Sequence, residues 1–388
     1  MVKDNFLREE YGLKDDAVFK SRSATEEDLE LLVNREEEIK KWNKILEDSK
    51  KTLNSNFLVF IIGDYGTGKT LSLLRVKKEA KGKNMYPIYL NFKSEEQTTI
   101  PGVDFLQRIF KAVNFDDIEV SGNEISKLTD VYPDVGNVFQ KILKYRRQPD
   151  VFGGMNISQI SRLAISFLGG DIVPTQGQLK KLGAIREINK LDIAKEYLIG
   201  LLYLLKSSGF STLVIAADEF EYLFSIVSKS QQSIYLAFLR GIFDLQVNIP
   251  KRLRGSTANM ALFIAISRDG WMRLEDLEKK ERSTGGPITP LKRRVTEMIS
   301  LEGLSKKDTK SLIEARLHFD RIKGKYVDKP LIPYTVNFVE YIFKLTRGVP
   351  ADIIVRCDHV LDLGLERRVP RLTAEFAKEV FRKKGLSY

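Results

Sequence analysis

A single cysteine, Cys357, stands in a chain of 388 residues. No internal disulfide can form, and the sequence suits a reducing compartment. Histidine is nearly as scarce. His318 and His359 lie far apart, with no cysteines at metal-ligand spacing, which excludes a zinc site of the common kinds. No run approaches the ~20 apolar residues that span a bilayer. The most apolar helix-like stretch, Tyr197 to Leu205, stops at Lys206. The first residues, MVKDNFLREEYG, lack the apolar stretch of a secretory signal. These absences together predict a cytoplasmic protein with no membrane partner.

Hydrophobic residues make up 43% and charged residues 30% of the chain, a balance that supports a substantial folded core. The net charge is +11 and the isoelectric point is near 9.3, which favours a polyanionic partner. The excess is clustered at Lys251-Arg252-Leu253-Arg254, at Lys292-Arg293-Arg294, at Arg367-Arg368 with Arg371, and at Arg382-Lys383-Lys384. There is no internal repeat and no low-complexity tract.

Residues 35–48 place Ile39, Trp42, Ile45 and Leu46 on one face of a helix. NFLVFII (56–62) is continuously apolar and rich in β-branched residues, as a strand buried on both faces must be. Similar runs at 86–92, 211–217 and 261–267, and a shorter one near Val295 to Leu301, predict further strands. Helical stretches alternate with them, which predicts a parallel α/β sheet. Residues 93–210 exceed one crossover helix and read as a helical elaboration on the sheet, ending in a long helix from Ile188 to Lys206. After residue 302 only helical patterns remain: one capped by Ser305 with Asp308, then about 334–345, 350–364 and 373–384, the last introduced by Thr373 with Glu375.

Gly63-Asp64-Tyr65-Gly66-Thr67-Gly68-Lys69-Thr70 matches the phosphate-loop pattern G-x-x-x-x-G-K-[ST]. Glycines sit where a side chain would block a phosphate from backbone N–H groups. The following helix turns its positive end to the anion. Lys69 then contacts the β- and γ-phosphates of ATP, and the Thr70 hydroxyl ligates Mg2+. The strand at 211–217 runs into Asp218-Glu219. Carboxyl ends of parallel strands border the ligand crevice, so Asp218 would hold the metal and Glu219 would polarise the attacking water. Glu221 reads as a solvated helix position. Ser267, at the end of the fourth strand, is either a γ-phosphate sensor or a turn residue, with Arg268 a competitor for the sensing role. An acidic pair aimed at water suits hydrolysis better than phosphoryl transfer to a small molecule.

The order of phosphate loop, acidic strand end, polar strand end, basic element and helical tail resembles the AAA+ superfamily of P-loop ATPases, from about Leu32 to Phe381. The resemblance implies an N-terminal segment (1–34), an ATPase domain (35–302) carrying the insertion at about 93–210, and a small helical lid (303–388). LVNREEEIKKW is similar to the segment that borders the adenine in the origin-recognition and replication-initiator branch and in related archaeal ATPases, which implicates Val33 and Arg35. PLKRRVTEMISLEGLSKKDTKSLIEARL resembles the stretch carrying a trans-acting arginine finger. Arg294 matches best and Arg293 is close behind; a basic surface patch is the other reading. LTRGVPADIIVRCDHVL resembles the lid segment with a sensor arginine, but Ala351 stands at that position. Replication initiators usually carry a winged helix after the lid, and residues 1–388 are expected to hold none. The insertion followed by GFSTLVIAADEFEYL also resembles, in layout, the ATP-binding proteins of BREX-type phage-defence systems.

The function expected on these grounds is an ATP-hydrolysing AAA+ ATPase, working as a homo-oligomer or with AAA+ partner subunits, that acts on DNA without reading sequence or on a DNA-bound complex. The alternative is a nucleotide-switched regulator of the STAND type that engages proteins. Threading of a protein substrate would want an aromatic pore loop, which Phe92-Lys93-Ser94 does not supply.

Overall fold

The computed structural model describes residues 5–14, 19–20, 24–52, 55–92, 102–145, 157–222, 229–281, 288–383 and 385. Lys93, Ser94 and Lys384 lie outside the described residues. The chain divides into two compact units: one of residues 40–62 and 76–299, the other of 1–39, 63–75 and 300–388.

The larger unit is built on a five-stranded sheet: β1 (Asn56–Gly63), β2 (Tyr86–Asn91), β3 (Thr212–Asp218), β4 (Asn259–Ile266) and β5 (Val295–Leu301). Their order across the sheet is β2-β3-β4-β1-β5. β1 pairs parallel with β4, β4 with β3, and β3 with β2. Every residue of β3 and β4 is buried, and β1 is buried from Leu58 onward. Covered on both faces, these strands read as unbroken apolar runs. The outer strands β2 and β5 alternate instead.

The helices before and around this sheet are α1 (Glu36–Lys51), α2 (Lys69–Lys81), α3 (Val103–Ala112), α4 (Gly122–Val131), α5 (Pro133–Tyr145), α6 (Ile157–Gly169), α7 (Gln176–Leu182) and α8 (Leu191–Ser207). Of these, α3 to α8 form the elaboration between β2 and β3. α8 is apolar nearly all round, with Tyr197, Leu198, Leu201, Leu202 and Leu205 buried in the same core as the sheet. Further on come α9 (Lys229–Phe243), α10 (Arg268–Glu281) and the short α11 (Ile288–Lys292).

The smaller unit has its own apolar core, made by α12 (Lys306–Phe319), α13 (Val336–Thr346), α14 (Pro350–Arg367) and α15 (Ala374–Lys383). Ser305 caps α12 by accepting from the Asp308 N–H at 3.2 Å, and Thr373 receives the Phe376 N–H at 3.3 Å ahead of α15. One feature of this core escapes the sequence pattern. Leu7, Tyr11, Leu13 and Phe19 are buried among the C-terminal helices. The Tyr11 hydroxyl donates to Val369 O at 2.6 Å, and Arg321 donates to Tyr11 O at 2.7 Å. The chain's first residues therefore complete the core of its last. Among the described residues no helix is long and apolar enough to cross a membrane.

Candidate nucleotide site

The phosphate loop follows β1 directly, and α2 begins at Lys69. Gly66 and Gly68 have φ of +80° and +98°, backbone that favours glycine. No neighbouring atom of the described residues lies within 4 Å of where a Cβ on Gly68 would stand, so the backbone there faces open space. At Gly63 the need is different. A Cβ there would come within 2.5 Å of the buried Thr67 hydroxyl, which itself donates to Asp64 O at 2.8 Å. The loop is thus tied by its own side chain while its outer face stays accessible. Lys69 Nζ donates to Gly63 O at 3.0 Å and Asp64 O at 3.2 Å, folding the ammonium over the loop. Thr70 is half-buried beside it, while Asp64 and Tyr65 are exposed.

Arg35 braces this loop from behind. Its side chain is buried and donates to Thr67 O at 3.2 Å and Glu302 O at 2.7 Å, with a third bond to Glu38 at 3.2 Å. These contacts make Arg35 a positioning residue for the loop. Val33, two residues earlier, packs against the C-terminal helical core. The first turn of α14 also meets the loop, the Ala351 N–H donating to Gly66 O at 3.2 Å.

The second group of residues stands at the carboxyl ends of β3 and β4. Asp218 closes β3 and is 2% exposed. One of its oxygens accepts from the Glu219 N–H at 2.9 Å, the other from the Tyr89 hydroxyl at 2.7 Å. Burial, and then the Asp218 charge, push the Tyr89 phenol well above its ordinary range, so it stays a neutral donor. A carboxylate is the kind of oxygen donor that a hard divalent cation takes. Glu219 is half-buried with φ +56°, a left-handed conformation that a non-glycine residue adopts only when its surroundings impose it.

The reading of Glu221 as a solvated position is corrected here. Glu221 is half-buried, and its Oε1 accepts from the Ser267 N–H at 3.1 Å. The chain turns at Glu219 instead of entering a helix, and that turn sends residue 221 toward β4. Nothing in the sequence announces a left-handed glutamate. Ser267 also accepts from the Gly270 N–H at 3.0 Å, within the first turn of α10. Arg294 is half-buried and forms a forked pair with Asp244, at 2.9 Å from Nε and 2.7 Å from a terminal nitrogen. Arg293 is exposed. Asp244 had no distinguishing sequence signal.

The loop, with open backbone at Gly68 and a helix beginning at Lys69, fits a phosphate group, and separately the Asp218 carboxylate is of the type a hard divalent cation takes. Two solved archaeal structures share the fold. The ORC2 protein of Aeropyrum pernix, in its ADPNP–ADP complexes, is 14% identical, covers 97% of this chain and 73% of its own, and gives a TM-score of 0.54. The Cdc6p of Pyrobaculum aerophilum is 13% identical over 96% of this chain and 71% of its own, with a TM-score of 0.50. A curated relative, an uncharacterized HTH-type transcriptional regulator of Methanocaldococcus jannaschii, is 26% identical over 98 residues. The match spans 25% of this chain and only 23% of that protein. The family model described as BREX system ATP-binding protein BrxC/D matches residues 119–317, just over half of the sequence, and includes both β3 and β4. The chain belongs to the BREX system ATP-binding protein BrxC/D family.

Proposed function

We propose that the protein hydrolyses ATP with Mg2+, assembles through its nucleotide, and acts on DNA or a DNA-bound complex. The observation that carries the reading is the loop Gly63–Thr70, with two left-handed glycines and a lysine opening a helix. In this reading Lys69 and the loop amides hold the phosphates, and Thr70 and Asp218 hold the metal, which would neutralise phosphate charge. Carboxyl ends of β1, β3 and β4 share one edge of the sheet because the strands are parallel. Ligands of doubly wound sheets bind outside that edge. Glu219 orients and polarises the water, Ser267 senses the γ-phosphate, and Arg294 serves a neighbouring subunit. The division into an N-terminal segment, an ATPase domain to residue 302 and a lid from 303 belongs to the same reading.

DNA as the polyanion is supported by the net charge of +11 and by the exposed turn carrying Lys251, Arg252 and Arg254. That turn precedes β4, so it lies at the edge opposite the carboxyl ends of β3 and β4. Duplex bound there would influence hydrolysis only through the sheet. The curated relative's description as a transcriptional regulator points the same way.

The test is retention of labelled ATP with Mg2+, then hydrolysis rates with and without duplex DNA. Lys69→Ala should abolish retention. Glu219→Gln should retain ATP and lose hydrolysis. DNA affinity should fall steeply with salt, at a log–log slope of about −0.9 per phosphate contact, and Lys251→Glu with Arg252→Glu should flatten that slope. Normal turnover by Glu219→Gln would remove its assigned role. A second reading, a nucleotide-switched regulator that engages proteins, is favoured by one contact: Ala351, not an arginine, meets the phosphate loop. ATPase and oligomer size indifferent to DNA would support it.

A further inference from the structure

We propose that Glu221 is a positioning residue for hydrolysis, holding the turn that carries Glu219 against the strand end that carries Ser267. The proposal rests on the hydrolytic reading above and deepens it. Its basis is the way two strand ends are stitched together. After Asp218 the chain takes a left-handed step at Glu219. Such a step persists only where neighbours fix the residues around it. Two bonds do so from β4: the Phe220 N–H donates to Ala265 O at 3.3 Å, and the Ser267 N–H donates to Glu221 Oε1 at 3.1 Å. The Tyr222 N–H closes the turn onto Glu219 O at 2.9 Å. The first bond uses backbone and survives any side-chain change. The second depends on Glu221 alone.

Packing points to the same pair. A Cβ on Gly270 would stand 2.7 Å from Glu221 Cβ and 3.1 Å from Ser267 Oγ, so the first turn of α10 closes over both. The other oxygen, Glu221 Oε2, is shut away from solvent with no hydrogen-bond partner among the described residues. A buried acceptor without a donor is a standing penalty that a position kept only for stability would shed. Glutamine would keep one acceptor oxygen for the Ser267 bond and remove the charge. An acceptor is held here, two residues after Glu219 within the same turn and bonded to the residue expected to sense the γ-phosphate. Its bond sets the distance between the water-orienting group and the sensing group. Geometry of that kind acts on the chemical step more than on substrate binding.

The full chain tests this with Glu221→Ala and Glu221→Gln, with Lys69→Ala and Glu219→Gln as references. Glu221→Ala should lower kcat about tenfold while KM stays within about twofold. Glu221→Gln should stay within about threefold of the unaltered rate, because its amide oxygen accepts the same bond. Hydrogen exchange at the Ser267 amide should quicken in the alanine variant and not in the glutamine variant. Unaltered kcat in Glu221→Ala, or equal impairment of both variants, overturns the proposal. If the two reference variants hydrolyse like the unaltered protein, the hydrolytic reading has failed. Ser267 exchange then decides alone: quickening in Glu221→Ala upholds the stitch, and no change overturns it. Should the alanine variant fail to fold, Glu221→Asp, one methylene shorter, is read in the same way.

Discussion

The Gly66 carbonyl accepts a hydrogen bond from the Ala351 N–H at 3.2 Å, and the two residues meet so closely that a Cβ on Gly66 would lie 2.6 Å from Ala351 Cβ. Val349 Cγ1 would stand 3.3 Å away. The contact requires a small residue on each side. Gly66 carries a further demand, its φ of +80°. Gly66→Ala should therefore cost about 1–3 kcal/mol through backbone strain and overlap together. Urea unfolding measures that loss, and filter binding should show weaker ATP retention. A variant as stable as the parent would mean that this contact does not constrain the loop.

Arg35 gives a prediction about indirect action. Its guanidinium donates to Thr67, Glu302 and Glu38, and it is 5% exposed. Arg35→Ala takes this donor from the buried Thr67 carbonyl and from the partly buried Glu302 carbonyl, a loss of about 1–3 kcal/mol. Arg35→Lys should recover little, because one ammonium cannot fork between separated carbonyls. ATP affinity should fall in both, measured by calorimetry, although the side chain's bonds run to the loop's carbonyls. If Arg35→Lys binds ATP as the parent does, the fork is not what holds the loop.

The parts of the fold written in continuous patterns were legible in the sequence. β1, β3 and β4 are buried on both faces, and their apolar runs gave them away; the G-x-x-x-x-G-K-[ST] spacing marked the loop between β1 and α2. Ser305 announced its helix because a cap is a local interaction. What stayed hidden depends on distant partners. Leu7, Tyr11 and Phe19 look like an unremarkable amphipathic start until α14 and α15 bury them. Glu221 looks solvated because a helix was the simplest continuation after Asp218-Glu219. Arg294 and Asp244 are fifty positions apart, and no periodicity links them.

Glu124 and Tyr203 carry a pH dependence. Glu124 on α4 accepts from the Tyr203 hydroxyl on α8 and from Lys127 at 2.9 Å. The Tyr203 bond, then Lys127, hold its carboxyl below the ordinary value of 4.5. A depressed carboxyl contributes stability above its unfolded value and loses it as pH falls through the lower folded one. Tyr203 is pushed up to about 12, first by burial and then by Glu124. Its contribution is complete below pH ~10 and is lost as pH rises toward ~12. Tyr203→Phe should cost about 1 kcal/mol at pH 7. The gap between parent and variant should narrow below pH ~4.5 and again above pH ~10. Urea midpoints across pH 3–11.5 measure it. A gap independent of pH would show that the bond's charge contributes nothing.

The forked pair of Arg294 with Asp244 bears on how a finger residue would act. In the isolated chain both terminal and Nε donors of Arg294 face Asp244, at 2.7 and 2.9 Å. To reach a neighbour's phosphates the guanidinium must leave that carboxylate. The pair is partly exposed, 29% for Arg294 and 39% for Asp244, so opening it costs little beyond an exposed ion pair. Asp244→Asn should then raise the ATPase rate of assembled protein or leave it unchanged. Arg294→Ala should lower it about 10³-fold if the finger acts in trans. Mixing decides between trans and cis. Glu219→Gln subunits keep Arg294 and bind ATP without hydrolysing it, while Arg294→Ala subunits keep Glu219. Hydrolysis by the mixture should exceed the sum of the two alone, because wherever a Glu219→Gln subunit faces the site of an Arg294→Ala subunit, an intact Glu219 meets an intact Arg294. A mixture no faster than its parts would confine Arg294 to its pair with Asp244.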